Sequence, residues 1–210
     1  MFGFKARRKR RDLVAELRQR GIRDARVLQA IGVVPREDFV LLHDKPRAYQ
    51  DIALPISCGQ MISQPYVVAY MTEKLAVEPE HDVLEIGSGS GYQAAVLARL
   101  CRHVYGIERH ALLFQLAEKR LKRLGFNNVT LLLGDGAVGW PDGRQFDRII
   151  VTAAAAHKPL ALLEQLREGG RLIAPIGERD GHQVLVQFDK VDGCIETQTL
   201  LPVRFVPLIG

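Results

Sequence analysis

Cysteine is scarce: only Cys58, Cys101 and Cys194 occur among 210 residues. Their odd number and wide spacing form neither a CxxC pair nor a metal-ligand pattern. This excludes a disulfide framework, gives no reason to expect a metal, and fits a reducing, cytosolic setting. No apolar run approaches the roughly 18 residues that a membrane helix needs. The basic start runs into DLVAELRQR rather than the apolar stretch of a signal peptide. The expectation is a soluble, cytoplasmic chain with no membrane partner. Internal repeats are missing, and so are low-complexity stretches beyond one charge run.

That run is defined by missing acids. Residues 1–11 carry Lys5, Arg7, Arg8, Lys9, Arg10 and Arg11 and no carboxylate. The whole chain has 29 basic and 24 acidic residues, a net charge of +5; without those six, 23 basic residues face 24 acidic ones, a net of −1. A compact nucleic-acid-binding domain carries its positive charge on the folded surface, because phosphate neutralisation supplies most of its affinity. Here the basicity belongs to residues 1–11, expected to be a solvated, disordered arm, and nucleic acid is disfavoured as a partner.

At 47% hydrophobic and 25% charged the rest has globular composition. Residues 12–210 are expected to form one domain, with a helical cap and active-site segment over 12–80 and an α/β core over 81–210. In the cap, Asp12 reads as the N-cap of a helix ended by Gly21, Asp24 as that of a second, and Pro35 as the first turn of a third. Residues 43–62 read as irregular, and a stronger helix starts at Ser63-Gln64-Pro65. From about residue 82, short apolar strands alternate with helices, which argues for a parallel sheet covered on both faces. Expected strands are 83–86, 103–107, 129–133, 148–152 and 171–176, closed by an antiparallel pair at 183–188 and 199–206.

Gly87-Ser88-Gly89-Ser90-Gly91 lies between the first core strand and its helix, the junction that faces the ligand crevice in such sheets. Glycines let a ligand approach where a Cβ would collide, although a tight turn without a ligand would also use them. The spacing is GxGxG, not the GxGxxG of a dinucleotide site, and no GK[ST] follows for a nucleoside triphosphate. Glu108, 21 positions after Gly87, ends the second core strand and can accept two ribose hydroxyls; a surface acid paired with Arg109 or Arg102 is the plainer alternative. Gly134-Asp135-Gly136 closes the third, offering Asp135 to an adenine amino group and the Gly136 N–H to the ring; Asp135 as a simple turn residue is the competing account. Together these strand ends describe a site for adenosine without phosphates, with S-adenosylmethionine as the candidate.

At this point the chain resembles the protein-L-isoaspartate O-methyltransferases. The similar segments are Asp51-Ile-Ala-Leu-Pro-Ile56, Gly59-Gln-Met-Ile-Ser-Gln-Pro65, Met71-Thr-Glu73 and Val83-Leu-Glu-Ile-Gly-Ser-Gly-Ser-Gly-Tyr-Gln93. Gly134-Asp-Gly136, Gly139-Trp140, Ile149-Ile-Val-Thr-Ala153, Gly169-Gly170-Arg171 and Arg204-Phe-Val-Pro-Leu208 continue the likeness, from about Leu13 onward. The glycine loop is common to class I methyltransferases; the Gln-Met-Ile-Ser-Gln-Pro stretch with the Phe-Val-Pro-Leu ending is specific.

The resemblance implies a three-layer Rossmann-like methyltransferase fold, with a mostly parallel sheet, C-terminal antiparallel strands and a helical N-terminal cap. It implies methyl transfer from S-adenosylmethionine to the free carboxylate of L-isoaspartyl residues, giving S-adenosylhomocysteine and starting repair through a succinimide. The implied partners are isoaspartyl proteins and peptides, acted on by a monomer. Ser63 carries over as the active-site residue, with Val206 beside it at the substrate. Gln60, Met61 and Ile62 become a cover over the cofactor, and Glu85 joins Gly87, Ser88, Gly89, Gly91, Glu108, Asp135 and Gly136 in holding it. A helix starting at Ser63 would attract the substrate carboxylate through its free N–H groups.

The chain departs from the family pattern in three places: Met61 replaces a threonine, Ser57-Cys58 a glycine-containing pair, and Ala156-His157-Lys158 a Pro-Glu-like element. Cys58 is expected to be partly buried and His157 to be a solvated loop residue. The rival readings are a class I methyltransferase with another acceptor, an NAD-dependent dehydrogenase, and a nucleic-acid-binding protein using the basic arm. The place where base-methylating enzymes carry Asn/Asp-Pro-Pro-aromatic holds Thr152-Ala-Ala-Ala155 instead.

Overall fold

The computed structural model describes the backbone of residues 2–178 and 181–209, with side chains from residue 7 onward in those ranges. The cap opens with α1 (Phe2–Gln19) and α2 (Ala25–Val33). The expected boundary at residue 11 is therefore absent: one helix runs through the basic stretch. Lys and Arg are good helix formers, and Arg10 donates to Val33 O at 3.0 Å and Glu37 at 3.3 Å, which holds that turn against the cap. Met1 and the Lys5 side chain lie outside the described residues. Asp24 caps α2 as expected, accepting from Arg26 N at 2.7 Å.

The third expected helix is only a 3-10 turn at Arg36–Asp38. Phe39 closes that turn by donating its N–H to Arg36 O, and Phe39 and Val40 are then buried outside any helix. Residues 43–62 are more regular than expected. After a 3-10 stretch at Leu42–Arg47, β1 (Leu54–Pro55) pairs antiparallel with β2 (Met61–Ile62) around a turn at Ser57–Gly59. Helix α3 (Pro65–Leu75) follows, with Pro65 in its first turn, where the missing N–H costs nothing.

The core alternates β3 (Asp82–Ile86), α4 (Tyr92–Leu97), β4 (His103–Glu108), α5 (Ala111–Arg123), β5 (Val129–Leu133), β6 (Phe146–Val151), α6 (Leu160–Glu164) and β7 (Leu166–Ile176), then β8 (Gln183–Val191) and β9 (Cys194–Val203). They form one seven-stranded sheet in the order β5-β4-β3-β6-β7-β8-β9. The strands from β3 to β7 are mutually parallel, and β8 and β9 run antiparallel to their neighbours. Residues alternate between the two faces with the period of a strand. Val83, Ile150 and Ile173 join the helical cap in one core, while Leu84, Ile149 and Leu172 pack with Trp140, Phe146 and Leu162 in the other.

The last strand lies earlier than the expected 199–206. Asp192 and Gly193 both have positive φ, 51° and 74°, and Val191 pairs directly with Cys194. A two-residue hairpin of that kind follows from Asp-Gly. Residues 206–208 instead cross the sheet end, where Ala154 N donates to Val206 O and Leu208 N to Ala154 O, each at 2.7 Å.

Candidate active site

The strand order reverses beside β3, which has β4 on one side and β6 on the other. Helical connections leave on opposite faces there, so a crevice opens at the C-terminal strand ends. A cleft of about 280 Å³ occupies that place, lined by the glycine loop, Glu85, Glu108, Gly136, the 59–63 segment and residues 206–209.

The glycine loop is held from three sides. Gly87 N and Ser88 N both donate to Ile107 O, at 2.8 and 3.2 Å. The Thr152 hydroxyl lies 2.9 Å from Ile86 O and 2.6 Å from Gly87 O, tying the end of β6 to the loop. Arg120 of α5 donates to Ser90 O at 2.6 Å. Gly87 has φ 89°, and a Cβ there would stand 2.7 Å from Thr152 Oγ1. At Gly136 a Cβ would meet Ile86 Cγ2 at 2.5 Å, so only glycine fits this wall.

Two acids at this end are in opposite states. Glu108 is buried, and its oxygens accept from Gly89 N and His110 N, each at 2.8 Å. It is not a surface acid: Arg102 pairs with Asp82 instead. Glu85 is fully buried at 0% exposure, and neither of its oxygens has a hydrogen-bond partner among the described residues. Burial, and then the charge of Glu108, push its carboxyl up to about 8. The site therefore contains a desolvated carboxyl that no cation of the described residues pairs with, and only the neighbouring Ser88 hydroxyl acts to lower it; a cationic ligand group would satisfy it.

The cap supplies the opposite wall. Gln60, Met61 and Ile62 all line the cleft, with Met61 about half exposed. Ser63 lines it too, but it does not start the helix: α3 begins at Pro65, with Gln64 before it. Nor is the helix end vacant for a substrate carboxylate. Asp51 accepts the Tyr66 N–H at 2.7 Å and the Gln64 amide at 2.9 Å, and it pairs with Arg20. The negative charge that the helix start attracts is thus already a protein side chain, and the half-buried Ser63 has no hydrogen-bond partner among the described residues. Val206 lines the same cleft through the terminal segment.

Two expected residues are not at the cleft wall. Gly91 packs with φ 84° against Ala117 and Leu121 of α5, where a Cβ would come within 3.3 Å; its role is close helix packing. Asp135 is exposed and uses Oδ1 to cap the turn after β5, accepting Ala137 N at 2.8 Å, while its neighbour Gly136 reaches the cleft. Cys58 is exposed rather than partly buried, and it holds φ 61°, the left-handed region that favours glycine. His157 is exposed, as expected. Sequence reasoning missed Thr152, Arg109, His110 and the Pro207–Ile209 stretch of the wall. The position of Thr152 at the end of the strand next to β3 was the available signal.

A family model described as Protein-L-isoaspartate(D-aspartate) O-methyltransferase matches residues 8–210. The chain belongs to this family. The protein-L-isoaspartate O-methyltransferase of Parvibaculum lavamentivorans is 55% identical over 201 residues, covering 94% of this chain and 90% of that relative. A solved protein-L-isoaspartate O-methyltransferase superposes with a TM-score of 0.86 at 31% identity; the match covers 96% of this chain and 66% of that longer one. A Plasmodium falciparum structure described as a protein-L-isoaspartate O-methyltransferase in complex with S-adenosyl-L-homocysteine gives 0.83 at 30% identity, covering 94% and 97%. These relatives share the three-layer methyltransferase fold with this chain.

Proposed function

We propose that this chain is a protein-L-isoaspartate O-methyltransferase that esterifies the free carboxylate of L-isoaspartyl residues with the methyl group of S-adenosylmethionine. The observation that carries the reading is a single cleft in which the glycine loop and Glu108 of the core face the Gln60–Ser63 segment and Val206.

The residues fit the cofactor. Each Glu108 oxygen already accepts one backbone N–H and keeps capacity for a ribose hydroxyl. The unpartnered Glu85 carboxyl suits the ammonium of the methionyl part, and Gly136, packed against Ile86, presents its backbone at the cleft wall to the adenine ring. Gly87, Ser88 and Gly89 shape the floor, Gly91 acts behind it through packing, and Asp135 acts from the rim. When bound, S-adenosylmethionine supplies a sulfonium-activated methyl carbon.

Acid–base residues have little to do in this chemistry. An acceptor carboxylate with an ordinary pKa near 4 is ionised at neutral pH. The Ser63 hydroxyl donates to that carboxylate and the Val206 backbone holds the peptide beside it, so the chain works by alignment. Met61, Ile62 and the 206–209 segment cover the cleft and limit water. The ester formed is attacked by the following backbone nitrogen; the nitrogen loses its proton, methanol leaves, and the succinimide opens with water to aspartyl or isoaspartyl.

The same reading makes the chain a cytoplasmic monomer whose cap includes the whole of α1 and extends to residue 80, with 81–210 as core. Its support is that both cleft walls come from one chain and that Cys58, Cys101 and Cys194 are free thiols. Among the described residues, no helix is long and apolar enough to cross a membrane and no group of side chains is arranged to hold a metal.

The bond made is the test of the reading. Label transferred from methyl-labelled S-adenosylmethionine to an isoaspartyl peptide should be released as methanol by mild base. Label that survives base treatment would place the methyl group elsewhere.

A further inference from the structure

Arg36 is buried at 0% exposure without a carboxylate partner among the described residues. Its Nε donates to Ala48 O at 2.9 Å, its Nη2 to Ile52 O at 3.2 Å, and its guanidinium carbon lies 5.0 Å from the centre of the Tyr92 ring. Among the described residues Nη1 has no partner, and neither does the buried Tyr92 hydroxyl. Burial lowers the guanidinium to about 10, so it stays charged at neutral pH. Stability alone is a poor reason for this arrangement, since two neutral carbonyls return only part of what it costs to take a cation out of water.

What Arg36 joins is more informative. Ala48 and Ile52 bracket Asp51, and Asp51 holds the Tyr66 N–H and the Gln64 side chain, which set the place of Ser63. Tyr92 follows Gly91 directly and opens α4, so it is attached to the loop that forms the cofactor floor. Phe39, three residues after Arg36, adds an edge contact to the same ring, with centroids 5.5 Å apart. Ile52 and Tyr92 are about forty positions apart in the chain, yet one side chain touches both.

We propose that Arg36 is a positioning residue for methyl transfer, registering the acceptor wall around Ser63 against the glycine loop that carries the donor. The proposal rests on the methyltransferase reading above. It follows from the chemistry: a reaction that depends on the line of oxygen, carbon and sulfur is sensitive to relative displacement of its two walls, and about 1 Å of misplacement can cost roughly a hundredfold in rate. Arg36 itself lines neither wall, so its loss should spare binding of the cofactor.

The test compares the full-length protein with Arg36→Met and Arg36→Lys. Affinity for S-adenosylhomocysteine is measured by calorimetry, kcat and KM on an isoaspartyl peptide, and cooperative unfolding by heat. Arg36→Met should bind S-adenosylhomocysteine within about threefold of the parent while kcat falls at least about tenfold. Arg36→Lys, which reaches one carbonyl but not both, should recover part of that loss. A folded variant with kcat within about threefold of the parent would overturn the proposal. Loss of cofactor affinity in step with kcat would overturn it too, by assigning Arg36 a purely structural role. If Arg36→Met does not fold, Arg36→Lys decides by the same readouts. Failure of the parent to methylate the peptide would sink the functional reading itself, a result distinct from an active Arg36→Met.

Discussion

Glu85 and Glu108 sit on adjacent parallel strands, yet one receives two backbone N–H groups and the other none. Two measurements separate their roles. The raised carboxyl of Glu85 favours the folded state while it is protonated, and that contribution is lost as pH rises from the unfolded value near 4.5 through about 8. The thermal midpoint of Glu85→Gln should therefore gain on the parent between about pH 5 and about pH 9. Parallel pH profiles would contradict a desolvated carboxyl. Glu108→Ala should weaken S-adenosylhomocysteine binding at least tenfold by calorimetry, since hydrogen bonds to a charged group contribute about 1.5–3 kcal/mol each; unchanged affinity would refute its ribose role. Glu108 was legible from its distance to the glycine loop. The isolation of Glu85 was not, because sequence spacing does not say which strand-end acid receives the loop's N–H groups. Ser63 was found by its flanking residues, but the Asp51 carboxylate at α3 depends on a contact across 15 positions.

Among the elements, β4 and the glycine loop approach so closely that Gly106 has no room for a side chain. A Cβ there would lie 2.6 Å from Leu131 Cδ2 and collide with the Ser88 hydroxyl. Gly106→Ala should lower stability by about 1–3 kcal/mol, as overpacking does, and should also weaken S-adenosylhomocysteine binding by moving Ser88. A lower melting midpoint with unchanged binding would detach β4 from the cofactor site. Short strands rich in Val, Leu and Ile, such as β3 and β5, could be placed from sequence nearly to the residue. The cap elements were harder. Helix α1 extends through residues whose charge suggested a solvated tail, because pairing of Arg10 with Glu37 is a tertiary event. The β8–β9 turn did carry a local signal, Asp192-Gly193, that strand periodicity alone overlooked.

For the whole molecule, the alternation of strands and helices was enough for the layered sheet and its antiparallel end, since those follow from local pattern and connection length. The seating of the cap was not, because an apolar stripe on a helix does not name the surface it will cover. That seating matters most for function: it brings Ser63 and the Gln60–Ile62 cover to a glycine loop more than twenty residues away in the chain. The net charge of +5 takes its place here as well, since the basic run is the first part of α1 and the remaining chain is nearly balanced. The acceptor is thus defined by the cleft rather than by the overall charge. The most direct measurement gives the protein labelled S-adenosylmethionine with two peptides that differ only in an aspartyl or isoaspartyl linkage at one position. Labelling of the isoaspartyl peptide alone is the predicted result; equal labelling of both, or of neither, would contradict the account.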